Sequence, residues 1–198
     1  MSETGGEASG QVGSVAVCLA AAAVGRVRSV VPIFFGRMAG SLNTDQFDVT
    51  QGVELVWREL SGLPRANALR HAVRAHLPQF RHRAAESEVQ GAAAVVSALD
   101  AIGILTEDCA DSQEFLRRSM AAALGVALEF DSQAVPPPAG QPSWMVYELR
   151  GQAELFEMLP ISTEIVSSEL VYSLRMRSGE ESMNYRNAMK LLMSGAAG

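Results

Sequence analysis

The chain has 198 residues, enough for one domain with a sizeable core, and 48% of them are hydrophobic. Its formal net charge of −6 at pH 7 disfavours binding to nucleic acid and to anionic membrane surfaces. Cys18 and Cys109 lie far apart in apolar stretches, which indicates buried thiols in a reducing compartment and no zinc site. We therefore expect a cytoplasmic protein without metal or cofactor.

The N-terminal third predicts a tail followed by two helices. Residues 1–11 are small, polar and glycine-rich, and are predicted to be disordered. The first helix is predicted over 14–29. Its apolar run, 15–24, follows no positive charge and is too short to span a bilayer, which favours a buried helix over a signal peptide. The second helix has Pro32 in its first turn and ends near Gly40.

Capping residues and prolines set the predicted limits of the next two helices. Residues 43–45 (Asn-Thr-Asp) are candidate N-caps for the third helix, which runs to Leu60. The fourth is predicted from Pro64 to Leu77, because Pro78 disfavours a helical residue before it and is expected to stop the helix.

The rest of the chain predicts long helices around a single proline-rich loop. An apolar helix over 84–106 is expected at the centre of the bundle, and Asp111 or Ser112 is the candidate N-cap of the next helix, which ends near Phe130. Pro136–Pro138 then make 131–142 a loop. Two or three helices are predicted to close the chain, over about 143–159, 162–178 and 181–193, the last within a tail-helix segment, 180–198. Residues 12–198 thus predict one all-α domain, a bundle of seven to nine helices.

Charge is distributed unevenly along the chain. Between residues 60 and 85 there are five arginines, three histidines and no acid, whereas 86–131 contains nine acids and two arginines. Contact between the two segments within the domain is one interpretation. The sequence alone leaves open whether they pair.

Six segments form an ordered series along the chain: VELVWREL (53–60), ALRHAVRAHLP (68–78), SALDAI (97–102), RSMAAALGVALEF (118–130), ELFEML (154–159) and LVYSLRMR (170–177). In their order and spacing they resemble the YjaG-like family, a bacterial family of unknown function. The resemblance covers roughly residues 14–178 and implies an all-helical bundle without implying a reaction. The N-terminal tail, the proline-rich loop and the tail helix lie outside the resemblance.

Few residues suggest chemistry. His71 and His76 are five apart and so lie on different faces of a helix, which favours surface histidines, with His82, over a metal pair. Asp100 lies in the most apolar predicted helix. It is interpreted either as a structural residue, paired with an arginine or with a helix end, or as a general base in a pocket that also includes Trp57.

A cluster of acids surrounds the junction before the helix that starts at Asp111. Glu107, Asp108, Asp111 and Glu114 lack the spacing of a calcium loop. They are interpreted either as capping and helix-dipole residues or as an acidic patch that binds a basic partner.

These observations favour a non-enzymatic protein-binding domain, because the chain contains no recognisable catalytic motif. An immunity or antitoxin-type inhibitor of a basic toxin fits a small acidic bundle of this kind. The alternatives are a bundle enzyme or small-molecule binder with a pocket near Asp100, and a homo-oligomeric scaffold that associates through the methionine-rich tail helix.

Overall fold

Helices make up nearly all of the structure. The computed structural model describes residues 5–38, 48–108, 111–159 and 166–195, with the side chains of 5–14 and 38 left out. Those ranges contain eight α-helices and no strand, which confirms the all-α class and the predicted number of helices. In chain order the helices are α1 (Gly5–Val27), α2 (Val30–Met38), α3 (Gln51–Leu60), α4 (Asn67–Ala85), α5 (Ala92–Thr106), α6 (Ser112–Ser132), α7 (Trp144–Met158) and α8 (Ser168–Met193).

Two helices form the centre of the bundle. Every side chain from 18 to 24 in α1 is fully buried, and α1 packs against α3, α5, α6, α7 and α8. The alanines at 20–23 let neighbouring helices approach closely because their side chains are small. The expected central helix, α5, packs against α1, α2, α3, α4 and α6. α1 begins at Gly5, earlier than predicted and within the segment 1–11 that was expected to be disordered.

The stretch Val15–Arg37 is long and apolar enough to cross a membrane by length and composition, with a mean hydropathy of 1.7. In the structure 72% of its most apolar window is buried inside the bundle. Core helices and membrane helices share such a composition. This stretch comprises the second half of α1 and most of α2, and both pack in the core of the bundle.

The buried thiol in α1 gives a testable dependence of stability on pH. Burial raises the pKa of Cys18 from 9.0 to about 12. Between these values the unfolded chain loses the thiol proton while the folded chain keeps it, so stability falls as pH rises. We expect the wild type to lose about 1.4 kcal/mol per pH unit relative to Cys18→Ala in this range, measured by urea unfolding. Parallel stability curves for the two proteins would contradict this assignment.

The prediction that Pro78 ends the fourth helix is wrong. α4 starts at Asn67, three residues after Pro64, and continues through Pro78 to Ala85. Proline removes one backbone hydrogen bond and costs about 3 kcal/mol inside a helix. Continuation of the helix offsets this cost by burying Phe80, whose ring packs edge-to-face on Phe35 with centroids 5.0 Å apart.

The long helix predicted over 84–106 is two helices, because α4 ends at Ala85 and α5 begins at Ala92. Gly91 precedes α5 in the left-handed region, with φ of +87°. A side chain at Gly91 would be strained and would lie 2.5 Å from Met189 Cε, so the break requires glycine.

Side-chain caps set the start of α6 and α7, whereas α3 has none. α3 begins at Gln51, and the predicted caps at 43–45 lie outside the described residues. Asp111 caps α6 as predicted, because its carboxylate accepts hydrogen bonds from the backbone N–H groups of residues 113 and 114. The proline-rich loop follows α6, and Ser143 caps α7 in the same way.

Within the described residues two helices, α7 and α8, follow the proline-rich loop, the lower of the two predicted numbers. The predicted segments 162–178 and 181–193 form one helix, which runs unbroken from Ser168 to Met193. Gly179 lies in its middle, and a mid-helix glycine costs only about 1 kcal/mol. The residues around it pack on the core; Ser178 Oγ, for example, donates to the carbonyl of Ala22 at 3.0 Å. The tail segment 180–198 is therefore the second half of a long helix as far as residue 193.

Candidate functional site

A groove between α4 and α5 is lined by two of the residues that the sequence singles out, Asp100 and Glu107. Its volume is about 460 Å³. Spacings of three and four residues place its lining residues on one face of each helix. We call it the α4–α5 groove and use the word floor for its apolar lining residues, Leu77, Pro78, Leu99, Gly103 and Ile104, and the word rim for its charged lining residues, Arg74, Arg81, Asp100, Glu107 and Arg118.

The charged groups of the rim form ion pairs with one another or with a neighbour. Arg81 Nε lies 2.9 Å from Asp100 Oδ1, and Arg118 NH1 lies 2.9 Å from Glu107 Oε2. The third arginine, Arg74, lies 4.0 Å from Asp108. All of these side chains are at least one-third exposed, so each pair contributes little to stability and can exchange with a charged ligand.

The structure combines the two interpretations of Asp100. The side chain pairs with Arg81, as the structural interpretation predicts, and it also lines a cavity, as the pocket interpretation predicts. Partial burial raises the pKa of the Asp100 carboxyl, while Arg81 acts to lower it. Trp57 is not part of this site: it is buried in the core on α3 and does not line the groove.

The four acids of the predicted patch do not form an unpaired acidic surface. Glu107 pairs with Arg118, and Asp111 is the N-cap of α6. Glu114 pairs with the arginine at 117 at 2.7 Å, and hydrogen bonding from that guanidinium lowers the pKa of the Glu114 carboxyl. The capping interpretation therefore describes Asp111, and the other acids meet cations of the chain itself.

The basic and acidic segments do pair. Asp108, just after α5, lies 2.5 Å from Arg65 NH2 and 4.0 Å from Arg74 NH1. These contacts join the end of α5 to α4 and to the segment that precedes α4. The histidines of the basic segment are exposed, and His82 Nε2 lies 3.2 Å from Glu86.

A second feature, which was not predicted from the sequence, is a set of buried and partly buried charged and polar side chains that joins α1, α7 and α8. Arg26 and Glu148 are both fully buried, with Arg26 Nε 3.3 Å from a carboxylate oxygen of Glu148. Arg26 NH1 lies 3.0 Å from Glu181, which in turn accepts a 2.9 Å hydrogen bond from Arg177. We call these four residues and Tyr185 the buried ionic cluster.

Glu148 is held by two neighbours besides Arg26. Tyr185 Oη donates to one carboxylate oxygen at 2.5 Å, and Gln152 Nε2 donates to the other at 3.0 Å. Burial raises the pKa of the Glu148 carboxyl, and Arg26 opposes that rise. Burial likewise raises the pKa of Tyr185 well above its usual value.

The fit of Arg26 depends on a glycine. A Cβ at Gly151 would lie 1.5 Å from Arg26 NH1, so only glycine leaves room for the guanidinium on this face of α7. One signal in the sequence points to the cluster: Arg26 follows the apolar run 15–24 within the same helix, where a charge must be paired. Its partners, far away in the sequence, carry no such signal.

The two features differ in access. Arg26 and Glu148 have almost no exposed surface, so a solute does not reach them, and the cluster serves to hold α1, α7 and α8 together. The α4–α5 groove is open, apolar at its floor and charged at its rim, which is the composition of a binding surface.

Comparison of the chain with protein-family models, with curated proteins and with solved structures finds no match. The resemblance to the YjaG-like family therefore stays a prediction, and any function rests on the geometry of the groove.

Proposed function

We propose that the protein is a non-catalytic binding protein whose partner, another protein, docks in the α4–α5 groove. The observation that carries this proposal is the combination of an apolar floor with a rim of exposed ion pairs. Protein interfaces combine an apolar centre, which supplies most of the affinity, with a polar rim, which supplies orientation and specificity.

The rim suits a charged partner because breaking its own exposed ion pairs costs little free energy. Each exposed ion pair contributes about 0–1 kcal/mol to stability. A cation of the partner can therefore replace Arg118 at Glu107, or Arg65 at Asp108, with little loss of free energy. This supports an inhibitor of a basic protein, such as a toxin with a phosphate-binding surface. Among the predicted acids, Glu107 and Asp108 are the proposed contacts, since Asp111 is occupied as a cap.

Charge reversal at the rim tests this proposal. We expect Glu107→Lys/Asp108→Lys to weaken binding by at least about tenfold, because two cations would then face the basic partner. The partner is identified by crosslinking and mass spectrometry in the native host, and its Kd for each variant is measured by calorimetry.

The matched control is Glu157→Lys, an exposed acid on α7 that does not line the groove. The control should bind like the wild type, and circular dichroism should show all variants folded. Equal affinity of the wild type and the double variant for the identified partner would rule out this surface.

A second candidate, a small-molecule site, is favoured by the size of the groove. Its volume of about 460 Å³ lies within the range of small-molecule pockets, and Asp100 is a polar group placed over an apolar floor. A ligand found by thermal-shift screening should lose its effect in Asp100→Asn and keep it in Glu157→Lys. A ligand that stabilises Asp100→Asn equally would place its site elsewhere.

A further inference from the structure

The exposed face of α8 has a symmetric pattern of residues. Tyr172, Met176 and Met183 are large apolar side chains that are 64%, 46% and 48% exposed. With Glu169 and Lys190 they lie within about 30° of one line along the helix at 3.6 residues per turn. The opposite face of α8 packs on α1, α2 and α3.

This pattern is self-complementary when read in the opposite direction. Glu169 and Lys190 are equidistant from the midpoint between Gly179 and Glu180, and Met176 and Met183 are equidistant from the same point. An antiparallel copy of α8 therefore places each Glu169 opposite a Lys190 and each Met176 opposite a Met183. The charged ends are about 32 Å apart, at 1.5 Å per residue.

Open space at the midpoint favours a close approach of two helices. A Cβ added at Gly179 would meet nothing within 4 Å, so on the Gly179 side of the midpoint no side chain separates the backbones, and Glu180 is the side chain that flanks the midpoint on the other side. Glu169 and Lys190 are exposed, and neither forms an ion pair within the described residues. Lys190 is also the only lysine of the chain.

We propose that the protein forms a two-fold symmetric homodimer through antiparallel packing of α8 on α8 of a second copy. The occupant of this face is a second copy because the charges at its ends and the methionines at its centre each match their own counterparts in that register. The proposal is independent of the α4–α5 groove, with which α8 shares no lining residue. Glu180 lies beside the proposed two-fold axis, close to Glu180 of the second copy, and this contact between like charges is unfavourable.

The test is sedimentation equilibrium of the full chain and its variants. We expect a wild-type dimer with a Kd on the order of micromolar. Met176→Glu should weaken it more than about tenfold, because two carboxylates enter the apolar centre. Leu128→Glu, a matched change at a residue 46% exposed on α6, should leave the Kd unchanged.

A charge exchange tests the register itself. Glu169→Lys and Lys190→Glu should each weaken the dimer several-fold to about tenfold, since like charges then oppose each other at both ends. The double variant Glu169→Lys/Lys190→Glu should restore the wild-type Kd, and Glu180→Gln should tighten the dimer. A monomer at about 100 µM, a dimer unaffected by Met176→Glu, or a double variant no tighter than the single variants would each overturn the proposal.

Discussion

Replacement of Arg26 by methionine is expected to lower the free energy of unfolding by about 3–5 kcal/mol, the usual cost of removing one partner from a buried ion pair. The change leaves Glu148 fully buried without a cation. Glu181 is less affected, because it keeps its hydrogen bond from Arg177. Urea unfolding followed by circular dichroism measures the loss.

Two variants separate loss of the ion pair from loss of packing. Arg26→Met/Glu148→Gln should recover most of the stability, because a neutral amide can still accept the hydrogen bond from Tyr185. Arg58→Met, an exposed arginine on α3, should change stability by no more than about 0.5 kcal/mol. If Arg26→Met resembled this control, the buried ionic cluster would not hold α1, α7 and α8 together.

Substitution of Gly151 by alanine is expected to have the second large effect, a loss of about 3 kcal/mol. The new methyl group would occupy the position of Arg26 NH1, and the guanidinium is enclosed on all sides. The side chain must then leave Glu148 or force α7 away from α1, so overpacking and a broken ion pair combine.

Gly36→Ala is the matched control for this substitution. Gly36 is also helical, but a Cβ there would meet nothing within 4 Å, so alanine should be neutral or stabilising by up to about 1 kcal/mol. The expectation for Gly151 also includes an interaction: in the background of Arg26→Ala, which empties the space, Gly151→Ala should cost much less than in the wild type. Equal costs in the two backgrounds would contradict the close contact.

Features encoded locally were predictable from the sequence. Asp111 and Ser143 supply capping oxygens at the start of α6 and α7, and the proline triplet makes the intervening loop. The buried character of 15–24 followed from its composition, since nearly every side chain of that run lies in the core.

Helix limits that depend on distant contacts were not predictable. Burial of Phe80 against Phe35 carries α4 past Pro78, and packing on α1 carries α8 past Gly179. In both cases a tertiary contact outweighs a local preference of about 1–3 kcal/mol. The break between α4 and α5 is different, because Gly91, with a φ of +87° before α5, is itself a local feature of the chain.

The site was predictable only in part. The sequence pointed to Asp100 and Glu107, whose spacing of seven residues puts them on one side of α5, but the arginines that pair with them come from α4 and α6 through packing. Trp57, which was grouped with Asp100 in the pocket interpretation, does not line the groove. The buried ionic cluster depends on an arginine and a glutamate 122 residues apart, and no local pattern joins them.

The most direct test of the central claim is the affinity of the crosslinked and identified partner for the wild type, for Glu107→Lys/Asp108→Lys and for Glu157→Lys. The binding account predicts a stoichiometric complex that the double reversal weakens by at least about tenfold and that Glu157→Lys leaves intact. A complex that both variants retain at wild-type affinity would show that the α4–α5 groove is not the surface by which this protein binds.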